Sequence, residues 1–238
     1  MRAQKVFGAA LPEWKAPVRP GPAQIEGRYA RLERLDPDAH AHALFAAYRE
    51  DDSVWDYLPY GPFASEAGFI RWLGDMAAST DPLFYAIRDL DTGLIGGMQA
   101  FLRISPEVGS IELGHINMAA RLQRRRAASE AMLLMIGWAF NAGYRRFEWK
   151  CDALNLPSRR AAERLGLSYE GVFRQATIYK GRNRDTAWFA AIDAEWPALR
   201  AAYASWLEPR NFDADGGQIL RLSDLTRPIL AARDPARG

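Results

Sequence analysis

Between Ser110 and Met118 the chain reads SIELGHINM, and its apolar residues change phase part-way along. Ile111 and Leu113 alternate with polar neighbours, then Ile116 and Met118 do so one register later. Side chains of a strand alternate with a period of two, so a slip of one residue moves the pattern to the other face. An extra residue next to a glycine, here Gly114, predicts a β-bulge, which bends a strand and opens its ladder. The slip also gathers Glu112, His115 and Asn117 on one polar face. This constrains the fold more than any other feature, because an opened ladder in mid-sheet creates a cleft.

The next segment is Gln123-Arg124-Arg125-Arg126-Ala127-Ala128, followed at once by an apolar helical run that ends at Gly143. A helix start presents unpaired N–H groups and the positive end of a dipole, so it attracts anions. Three arginines there are mismatched with that dipole unless an anion answers them. A strand FEWKC then returns, with Phe147, Trp149 and Cys151 on one face and Glu148, Lys150 and Asp152 on the other. Strand, basic loop, helix and strand make a βαβ-like unit suited to a phosphorylated cofactor.

At these residues the chain resembles the GNAT N-acetyltransferases, and the RimJ/RimL-type branch in particular. The family's pyrophosphate loop, Q/R-x-x-G-x-G/A, is matched by Gln123 and Ala128, with Arg126 in place of the first glycine. A second signature, N-x-x-S/A followed by a short helix and L-G-F, is matched by Asn155-Leu156-Pro157-Ser158 and Leu165-Gly166-Leu167. The resemblance runs from about Arg28 to Leu207. It implies an α/β GNAT fold, a mixed and mostly antiparallel sheet splayed at a β-bulge and flanked by helices. It implies transfer of an acetyl group from acetyl-CoA directly to a primary amine, either a protein N-terminus or a small amine.

The resemblance also implies roles. The loop Gln123, Arg124, Arg125, Arg126, Ala127 and Ala128 would hold the pyrophosphate. Ile116, Asn117 and Met118 would hold the acyl-pantetheine arm, with Asn155 and Ser158 beside it. Glu112 or His115 could take the amine proton, and Ser158 could protonate or hydrogen-bond the leaving sulfur. Each has a structural alternative: Glu112 as an arginine partner, His115 as a hydrogen-bonded core residue, Asn155 as a helix N-cap, Ser158 as a first-turn residue. Many GNAT enzymes carry a tyrosine seven residues after the asparagine, where this chain has Ala162. The aromatic loop WDYLPYGPF would wall the acceptor pocket through Tyr57 and Tyr60, or simply pack. Arg174, Lys180, Arg182 and Arg184, which line a late hairpin beside Asp185 and Glu170, could together hold an acidic substrate or peptide or remain solvated. Arg126 and Ala162 motivate an alternative, a non-catalytic acyl-CoA-binding or sensor domain.

The remaining chain is read as a Pro-rich arm (1–24), the main domain (25–207) and a C-terminal extension (208–238). The extension reads as a polar surface tail with a short strand at Gln218 to Leu222. The arm carries Trp14, which would dock on the domain or on a second copy in a homodimer. Net charge is +2, from 31 basic and 29 acidic residues, too balanced for a dedicated nucleic-acid binder. A single cysteine, no apolar leader and no apolar run long enough for a bilayer point to a cytoplasmic protein. Three histidines and one cysteine at scattered spacing form no metal motif.

Overall fold

A computed structural model describes residues 5–236. Eight strands form one sheet in the order β1-β2-β3-β4-β5-β6-β8-β7. They are β1 (Gln24–Glu26), β2 (Ala30–Arg34), β3 (Leu83–Asp89), β4 (Ile95–Ser105), β5 (Ser110–Met118), β6 (Arg146–Asp152), β7 (Ser168–Tyr179) and β8 (Arg182–Ile192). All neighbours are antiparallel except β5 and β6, which are parallel. The expected mixed, mostly antiparallel GNAT sheet is therefore present.

Helices cover both faces. α1 (Pro37–Tyr48) and α2 (Glu66–Ala78) lie on one, and α3 (Arg126–Asn141), α4 (Leu156–Arg164) and α5 (Trp196–Trp206) lie on the other. Local sequence sets their starts. Asp36 caps α1 by accepting the Asp38 N–H, with Pro37 behind it, and Ser65 caps α2 by accepting the Gly68 N–H. α3 gives way at Gly143, which takes a left-handed φ of +97°. Because β3 and β4 are covered on both faces, they read as unbroken apolar runs. Leu83, Tyr85 and Ile87 join the α3 core, while Phe84 and Ala86 join the α1–α2 core. The α1–α2 pair does not extend across β5, β6 and β8, and that bare part of the face holds the site described below.

The bulge in β5 is present. Met98 pairs with Asn117 and Ala100 with Gly114, so β5 has one residue too many. The left-handed residue is His115, with φ +50°, rather than Gly114. A side chain at Gly114 would put its Cβ 2.9 Å from the Leu102 side chain, so glycine there serves close approach between strands.

Both ends of the chain are tied down. The Tyr144 hydroxyl donates to the Val18 carbonyl and the Tyr85 hydroxyl to the Pro22 carbonyl, while the Arg145 guanidinium lies over the Trp14 ring. The C-terminal segment differs from a polar surface tail. Residues Leu222–Thr226 form a short helix, α6, where a strand to Leu222 was expected, and both its ends are buried. Asp234 makes a two-pronged ion pair with the buried Arg159 of α4, and the Ala231 N–H donates to Ser168 Oγ. Polar composition concealed this because the contacts are ionic and main-chain rather than apolar. Among the described residues no helix is long and apolar enough to cross a membrane.

Candidate active site

The parallel pairing of β5 with β6 runs from Ser110↔Arg146 to Leu113↔Trp149 and then stops. Past that point β5 carries its bulge and β6 continues to Asp152, paired only with β8. The strands part, and a cavity of about 620 Å³ occupies the split. Its walls include Glu112 and Lys150 from one face of the sheet, and Trp149 and Ser158 from the other. The β7–β8 hairpin and the loop after α1 close it in. They are joined by Lys180 Nζ, which donates to the Trp55 carbonyl at 2.8 Å.

Charge on the walls is mostly matched. Glu112 is buried, with Arg103 Nη1 at 2.7 Å and Lys150 Nζ at 2.8 Å. Lys150 also reaches Glu148 at 2.7 Å and lies over the Trp188 ring. The two acids face each other across the parallel pair, and one lysine between them offsets their repulsion. Asp152 accepts the Tyr179 hydroxyl at 2.9 Å and the Leu154 N–H at 2.8 Å. Burial, with Asp152 adding to it, pushes the Tyr179 phenol up to about 12.

His115 projects from the bulge beside Tyr60, whose hydroxyl lies 2.7 Å from His115 Nδ1. Burial, then the positive charges of Arg103 and Arg184, lower the imidazole to about 4. It is neutral at physiological pH. Burial likewise raises the Tyr60 phenol, so this pair shares a hydrogen bond and no charge. Trp149 Nε1 donates to Ser158 Oγ at 3.0 Å, and the serine hydroxyl also hydrogen-bonds the Cys151 thiol, so it already faces a sulfur. Asn155 Oδ1 accepts the Ser158 N–H, the N-cap alternative. Cys151 lines the cavity with its thiol pushed up by burial, which makes it a poor nucleophile.

Among the expected residues, Glu112, His115, Ile116, Tyr57, Asn155 and Ser158 meet around this cavity. Tyr60 contributes through His115. Asn117 and Met118 do not line the cavity: Asn117 is buried towards α1, where its carbonyl accepts the Tyr48 hydroxyl, and Met118 packs on the core. Arg174 lies outside, on a β7 bulge at Gln175 that turns it away. Of the four hairpin cations read as able to hold an acidic substrate, Arg184 lines the cavity, while Arg103 and Trp188 were not singled out. Arg103 had a signal, a lone charge in the apolar strand LRI next to the partner of Glu112.

The loop at Gln123 to Ala128 makes its turn into α3 without a glycine. Arg124 takes the left-handed conformation, φ +62°, and α3 begins at Arg126 with no side chain capping its first turn and no acid within it. Those unfilled N–H groups fit an anion. The arginine side chains behave differently from the expectation. Arg126 grips Asp91 at 2.9 and 3.0 Å and stacks over Tyr29 and Phe212, so its guanidinium is spent on the fold. Arg125 bonds the Arg121 carbonyl and faces Asp89. Two acids of the β3–β4 turn therefore answer the dipole mismatch at two arginines, and Arg124 remains exposed. Among the described residues no cluster could hold a metal ion.

Comparison with known proteins agrees with this geometry. Residues 30–168 match the family described as "Acetyltransferase (GNAT) domain". The fold is similar to a GCN5-related N-acetyltransferase from Brucella melitensis, with a TM-score of 0.89 and 45% identity over 91% of this chain and 100% of that one. A GNAT-family structure from Chromobacterium violaceum gives a TM-score of 0.77 and 39% identity, over 83% of this chain and all of that one. The uncharacterized N-acetyltransferase p20 of Bacillus licheniformis is 27% identical, over 70% of this chain and 92% of its own. With a split parallel pair, an uncapped helix start beside it and a family match across more than half its length, this chain belongs to the GNAT acetyltransferases.

Proposed function

We propose that this protein is an acetyl-CoA-dependent N-acetyltransferase of RimJ/RimL type, acting on a primary amine by direct transfer. The observation that carries the proposal is the split between β5 and β6 at Leu113 and Trp149, which opens onto a polar cavity at a bulge. The RimJ/RimL reading is supported by Ser158, three residues after Asn155. It is also supported by Ala162, which is fully buried in the core and so could not present a tyrosine to the site.

Acetyl-CoA would supply an activated acyl group as a thioester. The first-turn amides of α3 and the exposed Arg124 would hold its phosphates. Ile116 lies at the bulge with no register partner on β4 or β6, and its N–H would polarise a carbonyl placed in the split. An α-amine titrates at about 7.7–8.0 and needs little help to lose its proton, which neutral His115 can pass on. Glu112, held between two cations, would set the charge of the wall; protonating it would leave Arg103 and Lys150 less well matched. Ser158 would donate to the departing sulfur.

Calorimetric titration of acetyl-CoA, followed by assay of free thiol release with a panel of amines, tests the proposal. Micromolar binding and amine-dependent release are expected, whereas no binding at millimolar donor would overturn it. Ser158→Ala is expected to lower kcat about 10²-fold, the scale of a positioned proton donor, with little change in donor affinity. A kcat within twofold of the parent would remove Ser158 from the chemistry. Arg124→Ala should weaken acetyl-CoA about fivefold, the worth of one exposed ionic contact. Arg126→Ala should act on the fold instead, costing about 1–3 kcal/mol in denaturant unfolding.

A further inference from the structure

One cation of the cavity has no acid partner among the described residues. Arg184 lines the wall, its Nε is buried with no hydrogen-bond partner, and it forms no ion pair among the described residues. The nearest acid in sequence, Asp185, is committed elsewhere: its Oδ1 accepts the Gln175 N–H at 2.7 Å and Asn183 Nδ2 at 3.0 Å. Thr186 and Trp188 lie on the same face of β8, two and four residues on, and also line the cavity. The Trp188 indole N–H is likewise buried and unpartnered. Through Arg184 and Trp188 that strand face offers two buried hydrogen-bond donors that no acceptor among the described residues meets. The other charged walls, Glu112 with Arg103 and Lys150, and Asp152 with Tyr179, are satisfied internally. The half-buried Arg184 guanidinium stacks 5.7 Å from the Tyr179 ring centroid but meets no acid among the described residues. Leaving its buried Nε without an acceptor is costly, and its planar fork matches a carboxylate or phosphate.

We propose that the acceptor is a primary amine that also carries an anionic group, a carboxylate or a phosphate, bound by Arg184. This rests on the acetyltransferase reading and narrows its substrate. The same charges bear on the amine. Arg103 and Arg184 oppose entry of a bare ammonium, whereas an amine with its own anion brings no net positive charge. Once the anion is on Arg184, the ammonium can give up its proton without leaving an unmatched charge on the wall.

Matched pairs that differ only in the acid test this. Calorimetry compares N-acetylphenylalanine with its amide, in the class of a reaction product, and phosphoethanolamine with ethanolamine. The wild-type protein should bind at least one acid member about tenfold more tightly than its neutral counterpart. That ratio should fall to about one in Arg184→Gln and be partly kept in Arg184→Lys. Preference in the phosphate pair alone would identify phosphate as the group, and in the carboxylate pair alone, carboxylate. Equal affinity within both pairs, failure of every acid to bind, or a preference that survives in Arg184→Gln would overturn the proposal. Thiol release with phenylalanine, phenylalaninamide and the phosphoethanolamine pair separates the two readings. Acid-selective binding without amine-dependent release supports the anion site and overturns the acetyltransferase function instead.

Discussion

Replacing Glu130 with alanine is expected to lower stability by about 3–5 kcal/mol, the cost of orphaning several buried partners of one charge. Glu130 lies in the first turns of α3 and is buried. Its Oε1 accepts the Arg28 N–H at 2.9 Å, and its Oε2 accepts those of Tyr29 and Ala30 at 2.6 and 2.7 Å. One carboxylate thus serves three backbone donors at the start of β2, and two of those donors belong to fully packed residues. Alanine would leave them with no acceptor. There is little space for water to substitute, since a Cβ on Gly27 would stand only 2.5 Å from the Glu130 carboxyl carbon. Gln keeps one acceptor but turns an N–H₂ towards donors, so Glu130→Gln should lose about half as much. Gly27→Ala should resemble Glu130→Ala by forcing the carboxylate aside. Denaturant unfolding reads all three, and a loss below about 1 kcal/mol for Glu130→Ala would show that the donors find other partners.

That bond network was not legible in the sequence, and the reason is physical. A carboxylate a turn into an apolar helix looks like a solvated position, and its partners lie about 100 residues away on a strand whose side chains say nothing about their N–H groups. The bulge was legible, because the slip at Gly114 is a local property of alternation. Its left-handed residue was not, since glycine would ordinarily be preferred and the structure instead gives that conformation to His115. The βαβ-like unit, the caps of α1 and α2 and the hairpin turns all follow from short-range chemistry. The arginine loop shows where local reading stops. Three adjacent guanidiniums look alike in sequence, yet Asp91 and Asp89 of a distant turn take two of them. The cavity divides in the same way. Residues on the bulged strand and the Asn155–Ser158 turn were found by motif, whereas the lone charge of Arg184 emerges only when the partners of every neighbouring acid are known.

The second large effect expected is on the dependence of stability on pH, and His115 carries it. Its imidazole titrates near 4 in the folded protein because it is buried and faces Arg103 and Arg184, against an ordinary value of 6.5 in the unfolded chain. Between those values the unfolded chain binds a proton that the native protein does not. Stability is therefore full above pH 6.5 and falls as the pH drops towards 4, by up to about 3 kcal/mol. Glu33 acts in a lower window. Held down to about 2, first by its hydrogen bond to Arg88 and then by His40, it stabilises the fold above its unfolded value of 4.5. That contribution is lost as the pH falls from 4.5 through 2, so the two residues can be separated. His115→Asn is the informative variant, because asparagine tolerates the left-handed backbone of the bulge and does not titrate. Unfolding by denaturant from pH 7 to 4.5 should show a clear loss in the parent and a much flatter profile in the variant. Identical slopes would mean that the imidazole titrates alike in the folded and unfolded chains, so that burial and the two arginines do not shift it. The charges of Arg103 and Arg184 would then not be felt at the bulge, whereas a steep parent beside a flat variant shows an imidazole that stays neutral down to about pH 4 and so can pass a proton from the amine onward without holding it.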